Sequence, residues 1–130
     1  MRQITTFLAA LLLSGCASLI DQIPSFNDAN QSKAIIDVRL AVAELDCAKA
    51  QAPQVQAIKA RLDWFRAYSE SKARQADVLR LTEPIRDTVD DFYKRVSAEG
   101  HKDNQVHCQL KKRVLTEQTK RAAEVVIGRF

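Results

Sequence analysis

The sequence predicts an all-α domain, an antiparallel up-down four-helix bundle. Four segments carry apolar residues at steps of three and four, which is the spacing of one helix face. Apolar residues make up 46% of the chain and charged residues 28%, as is typical of chains that fold. Three Gly and three Pro are too few for the many tight turns of an all-β fold. The 130 residues leave room for one domain.

The first helix is predicted at about residues 30–51. Ser32 or Asn30 can cap its start, because short polar side chains accept hydrogen bonds from the free N–H groups there. Pro53 either ends this helix or opens the next one. The helix carries two neighbouring apolar stripes: Ile35, Val38, Val42 and Leu45 in one, and Ile36, Leu40, Ala43 and Cys47 in the other.

The second helix is predicted at about residues 54–70. The polar run that follows has no apolar anchor, so we expect a turn near 70–74. One face of this helix carries the apolar residues Val55, Ile58, Leu62 and Phe65.

The third and fourth helices are predicted at about 74–98 and 105–127. Pro84 interrupts the third and must kink it or restart it, which leaves the number of helices open. Asn104 can cap the fourth helix and Gly128 can end it. The predicted apolar positions are Val78, Leu81, Ile85, Val89, Phe92 and Val96 in the third, and Leu110, Val114, Leu115, Ala122, Val125 and Val126 in the fourth.

The N-terminus carries the strongest functional signal. A positive charge precedes the short apolar run 4–13, and the motif Leu13-Ser14-Gly15-Cys16 closes the stretch. Such a stretch is typical of a signal peptide and not of the fold. The closing motif resembles the lipobox of bacterial lipoproteins. The alternative is an ordinary secretory signal with an incidental cysteine.

The lipobox resemblance implies that Cys16 is the lipidation site. A peptidase would cut before Cys16, whose thiol would carry diacylglycerol and whose new amino group would be acylated. Several acyl chains give stable anchoring in membrane lipid. Ala17 stands where an Asp would favour the inner membrane, so the resemblance implies the periplasmic leaflet of the outer membrane.

The chain therefore divides into three predicted parts. They are a signal peptide at 1–15 that is removed, a lipidated N-terminus and short tether at 16–29, and a helical bundle at 30–130. Flexible linkers are usually polar, whereas this tether is predicted to pack on the domain or the lipid surface. Its large apolar residues are Leu19, Ile20, Ile23 and Phe26.

Cys47 and Cys108 are the two cysteines left after lipidation. In an oxidising compartment a disulfide between them is expected; the alternative is two buried free thiols. The end of the first helix and the start of the fourth lie at the same end of an up-down bundle. A continuous helix over 54–98 would instead carry Cys108 far from Cys47. The pairing thus supports the turn near 70–74.

Residues suited to catalysis are scarce. The chain has no Gly-rich phosphate loop and no nucleophile elbow. His101, His107 and Cys108 match no zinc-binding spacing. We therefore expect no enzyme activity, no metal and no cofactor, and the compartment argues against nucleic acid as a partner.

One surface of the second helix is a candidate contact patch. Aromatic and arginine side chains dominate binding hot spots, and such residues lie beside the core face. The alternative is that Trp64 packs in the core against a neighbouring helix. The candidate residues are Arg61, Trp64, Arg66 and Tyr68.

The fourth helix is basic and is a second candidate surface. It could meet anionic lipid head groups, lipopolysaccharide phosphates or acidic peptidoglycan. The alternative is a solvated face whose cations suit the helix dipole. The cations are Lys111, Lys112, Arg113, Lys120 and Arg121.

These features predict a helical binding or adaptor module, anchored in the outer membrane, that contacts an envelope protein or an envelope polymer. The alternative is a lipoprotein encoded by a phage or mobile element, acting in superinfection exclusion or host lysis.

Overall fold

The computed structural model describes residues 28–128, which form four α-helices. Their bounds are Ala29–Glu44 for α1, Gln51–Glu70 for α2, Ala76–Val96 for α3 and Gln105–Ile127 for α4. No strand is present among these residues. The predicted signal peptide, the lipidation site Cys16 and the tether up to residue 27 lie outside the described residues.

The helices form a ring in which each packs against its neighbours in the chain and α4 packs against α1. The residue that follows α1 meets the first half of α4, since Lys112 Nζ donates to the carbonyl oxygen of Leu45 at 2.7 Å. The predicted four-helix bundle is confirmed. None of the described helices is both long and apolar enough to span a membrane.

The N-cap of α1 is Asp28, and not Ser32 or Asn30 as predicted. Its Oδ1 accepts hydrogen bonds from the backbone N–H groups of Asn30 at 2.8 Å and Gln31 at 3.2 Å. A cap residue needs an extended backbone and a short side-chain acceptor, and Asp28 supplies both.

Helix α1 also ends earlier than predicted, at Glu44 and not at residue 51. Asp46 Oδ1 accepts a hydrogen bond from the backbone N–H of Ala48 at 2.9 Å. This local turn competes with the helical hydrogen bonds. The same hydrogen bond, followed by one from Lys49, lowers the pKa of the Asp46 carboxyl.

Two prolines lie inside helices. Pro53 is in the first turn of α2, where its missing N–H would have no helical partner, so it opens that helix. Pro84 lies within the continuous helix α3, which does not restart there. The turn predicted near 70–74 separates α2 from α3, and Arg74 adopts a left-handed φ of 61° in it.

The boundaries of α4 agree with the prediction. Asn104 is the N-cap and its Oδ1 accepts from the N–H of His107 at 2.9 Å. Gly128 is the C-cap, and its N–H donates to the carbonyl oxygen of Glu124 at 3.0 Å.

The predicted core of α4 is partly wrong. Leu110, Val114 and Val125 are 55%, 38% and 49% exposed. Apolar residues occur on both faces of this helix, so their spacing alone could not select the buried face. Leu40 on α1 is exposed as well. The residues of α4 that are buried are Cys108, Leu115, Thr119, Ala122, Ala123 and Val126.

The predicted disulfide is present between Cys47 and Cys108, whose Cα atoms are 5.7 Å apart. It joins the loop after α1 to the first turn of α4, and Cys108 is fully buried. The bond therefore ties together the two helices that close the ring.

Candidate functional site

Trp64 lies on the outer surface of α2, directly before a core residue. Its side chain is 55% exposed, whereas Phe65 is fully buried. The structure therefore excludes the interpretation that Trp64 packs in the core. One helical turn further on, Tyr68 stacks on the indole, with ring centroids 5.3 Å apart and ring planes within 7° of parallel. Stacked aromatic pairs are stabilised by more than the area they bury.

Hydrogen bonds from the start of α1 hold Tyr68 in place. Its hydroxyl donates to the Asp28 carboxylate at 3.1 Å and accepts from Asn30 Nδ2 at 3.1 Å. Burial raises the pKa of the Asp28 carboxyl, but hydrogen bonds from Gln31 N–H, Tyr68 and Asn30 N–H outweigh it and hold the pKa below its ordinary value. Asp28 is thus a charged acceptor, and the plane of the aromatic pair is set before any partner binds.

A groove of about 300 Å³ lies beside Trp64, between α1 and α2. We call it the Trp64 groove. Its size is at the lower end for small-molecule sites. Tyr68 covers one face of the indole and is not among the residues that line the groove. The lining residues are Asn30, Lys33, Ala34, Asp37, Arg61 and Trp64.

The charges around the Trp64 groove are unevenly paired. Lys33 Nζ forms an ion pair with Asp37 Oδ2 at 2.8 Å. Arg61 is exposed and makes no ion pair with any residue from 28 to 128. The groove therefore offers one uncompensated cation next to an exposed aromatic ring.

The sequence pattern alone does not predict the α1 half of this groove. Lys33, Asp37 and Leu40 recur at helical spacing on one face of α1, and that signal was available. Their proximity to Trp64, however, depends on how α1 and α2 pack. A second depression of about 280 Å³ continues along the same face, lined by Asp37, Leu40, Ala41, Glu44 and Arg61.

Arg66 lies apart from the other three residues of the predicted patch. Its guanidinium donates to Glu83 Oε2 at 2.9 Å and to Thr82 Oγ1 at 3.0 Å, and its side chain is only 11% exposed. It therefore links α2 to α3. The structure brings Arg61, Trp64 and Tyr68 together and leaves Arg66 out.

The five cations predicted on α4 divide into two groups. Lys111 pairs with Asp91 on α3, and Lys112 donates to the carbonyl oxygen of Leu45. These two lysines hold α4 to its neighbours. The second group is exposed and has no ion-pair partner among residues 28–128. Its members are Arg113, Lys120 and Arg121.

His107 is half-buried beside the disulfide, and its ring packs edge-on against Phe92 with centroids 5.7 Å apart. Burial, and then the charges of Arg95 and Lys111, lower the pKa of the His107 imidazole. Within residues 28–128, no three His, Cys, Asp or Glu side chains lie together in a way that could hold a metal ion.

The fold and this surface together define a small disulfide-linked helical bundle with an exposed aromatic groove. Comparison with known proteins gives no match to a protein-family model, to a curated protein or to a solved structure.

Proposed function

We propose that this protein is a lipid-anchored binding module of the bacterial cell envelope. In this proposal, acylated Cys16 holds the protein at the periplasmic leaflet of the outer membrane, and the Trp64 groove contacts an envelope component. The exposure of Trp64 carries the proposal. A large aromatic side chain, 55% exposed and next to an unpaired arginine, has the composition of a binding hot spot.

The fixed position of the aromatic pair supports this assignment. Ordering a free side chain on binding costs about 0.5–1.5 kcal/mol. Tyr68 is already ordered by Asp28 and Asn30, and it fixes the plane of Trp64 in turn. Because these side chains are already ordered in the folded protein, binding a partner would cost little further free energy for ordering them.

The position of the groove relative to the anchor also fits a role near the membrane. The chain between Cys16 and Asp28 can span at most about 40 Å. Asn30, two residues after Asp28, lines the groove. A protein anchored at Cys16 would hold the groove within about that distance of the lipid surface.

Lipidation is tested by metabolic labelling of cells with a fatty-acid analogue. The protein should carry the label, and Cys16→Ala should abolish it, because the thiol is the acceptor of the lipid. Persistent labelling of the Cys16→Ala variant would contradict the anchoring half of the proposal.

The contact site is tested by placing a photo-crosslinking amino acid at the exposed position Ala57, one turn before Arg61. Irradiated cells should give a crosslinked product of defined mass, and Trp64→Ala should reduce its yield at least about tenfold, as hot-spot truncations do. The variant should lose less than about 1 kcal/mol of unfolding free energy, because the side chain lies outside the core.

The same crosslinker at the exposed position Gln109 on α4 serves as the control, and its products should not depend on Trp64. An unchanged yield at Ala57 in the Trp64→Ala variant would remove the groove as the contact site. A loss of several kcal/mol in stability would return Trp64 to a structural role.

A further inference from the structure

We propose that the Trp64 groove binds a glycan ring that bears one free carboxylate, as in N-acetylmuramic acid units from which the stem peptide of peptidoglycan has been removed. This inference rests on the proposed function, since it names the ligand of the same groove. In the bound state, the open side of the indole would stack on the apolar face of a sugar ring. The Arg61 guanidinium would pair with the carboxylate.

The lining of the groove favours a sugar over an apolar peptide segment. Of the six described residues that line it, four end in polar groups, while most of the surface that they present to the groove is apolar. A protein side chain would need a deeper apolar pocket as an anchor. A sugar needs a flat apolar platform with donors and acceptors at its rim, because ring hydroxyls both donate and accept hydrogen bonds.

The rim supplies both kinds of hydrogen-bonding group. The Asn30 amide has donor and acceptor atoms, the Asp37 carboxylate accepts, and the Arg61 guanidinium donates. Asn30 Nδ2 already donates a hydrogen bond to the Tyr68 hydroxyl, whereas the amide oxygen of Asn30 takes no part in that bond.

The charge of the groove argues for a single carboxylate. Because Lys33 and Asp37 neutralise each other, Arg61 is the one cation among the described lining residues without a counter-charge. A planar guanidinium matches a planar carboxylate with two parallel hydrogen bonds. A doubly charged phosphate would meet only this one free cation, which would leave half of its charge unpaired.

The test uses the fact that Trp64 is the only tryptophan of the chain, so its fluorescence reports on the groove alone. Full-length protein in detergent is titrated with two disaccharides. One is N-acetylglucosaminyl-N-acetylmuramic acid, and the other is N,N′-diacetylchitobiose, which lacks the lactyl carboxylate. The charged sugar should shift the emission to the blue in a saturable way and should bind about tenfold more tightly than the neutral one.

Arg61→Gln should bring the affinity for the charged disaccharide down to that for the neutral one. Arg80→Gln, which removes an exposed arginine on α3, away from both candidate surfaces, should change neither affinity. Trp64→Leu, followed by calorimetry because it has no fluorophore, should abolish binding of both sugars.

If neither sugar changes the Trp64 emission, the inference is overturned. Equal affinities for the two sugars would overturn it as well. If neither sugar binds while the crosslinker at Ala57 captures a protein in a Trp64-dependent way, the binding module stands and the glycan assignment falls. Sugar binding that survives Trp64→Leu would also overturn the inference.

Discussion

Replacing both Cys47 and Cys108 with alanine should lower the free energy of unfolding by about 4 kcal/mol. The disulfide closes a loop of about 60 residues, and in the chain-entropy model that closure removes conformations mainly from the unfolded chain. Since small domains are stable by only about 5–15 kcal/mol, the loss is a large part of the total. The native helices should still form, because the core of the bundle is otherwise unchanged.

Chemical unfolding followed by circular dichroism measures this effect. Reduction of the unmodified protein is the matched control, because it breaks the crosslink while it keeps both sulfur atoms in place. The reduced protein and the double variant should unfold at similar denaturant concentrations, well below that of the oxidised protein. If reduction leaves the midpoint unchanged, the disulfide does not stabilise the bundle and the effect of the variant is one of packing.

How far the sequence could predict the fold depends on how many apolar stripes each helix has. Helices α2 and α3 each have one such stripe, and its buried positions include Phe65 and Phe92 as predicted. Helix α4 has apolar residues on both faces, so the spacing predicts Leu110 and Val114 as core residues although they are exposed. A stripe identifies a helix, but only packing against its neighbours selects the face that is buried.

The residues of the candidate site also differ in how far the sequence could predict them. Trp64 and Arg61 could be predicted because they lie on one helix, beside a clear core stripe. The contribution of Asn30 and Asp37 could not, because it arises where α1 meets α2. The same limit explains why the predicted contact patch wrongly includes Arg66. Its partner Glu83 lies on a different helix, so their ion pair could not be predicted from the pattern of α2.

Two glutamines show what local pattern leaves out. Gln31 and Gln51 are each only 1% exposed, although glutamine is mostly a surface residue. Gln31 Nε2 donates to Ser69 on α2 and to Gln75, the N-cap of α3, whereas the side-chain amide of Gln51 has no hydrogen-bond partner among the described residues. No sequence period distinguishes them, because the difference lies in which polar groups the fold brings near each amide.

Gln31→Ala should therefore be the most destabilising change of a polar side chain in α1, at about 2–4 kcal/mol. Gln31 Nε2 donates to Ser69 Oγ and to Gln75 Oε1, both at 2.9 Å. These hydrogen bonds join the start of α1 to the end of α2 and to the residue before α3. Truncation leaves Gln75 Oε1 without this donor in a buried position and adds a cavity, and both effects lower stability.

Two further variants separate these effects in the same unfolding measurement. Gln31→Met keeps the volume but removes the donors, so it should recover the cavity part of the loss and still be less stable than the native protein. Gln56→Ala makes the same truncation at an exposed position of α2 and should change stability by less than about 0.5 kcal/mol. If Gln31→Met proves as stable as the native protein, the buried hydrogen bonds contribute nothing net, and the role of Gln31 is to fill space where three helical segments meet.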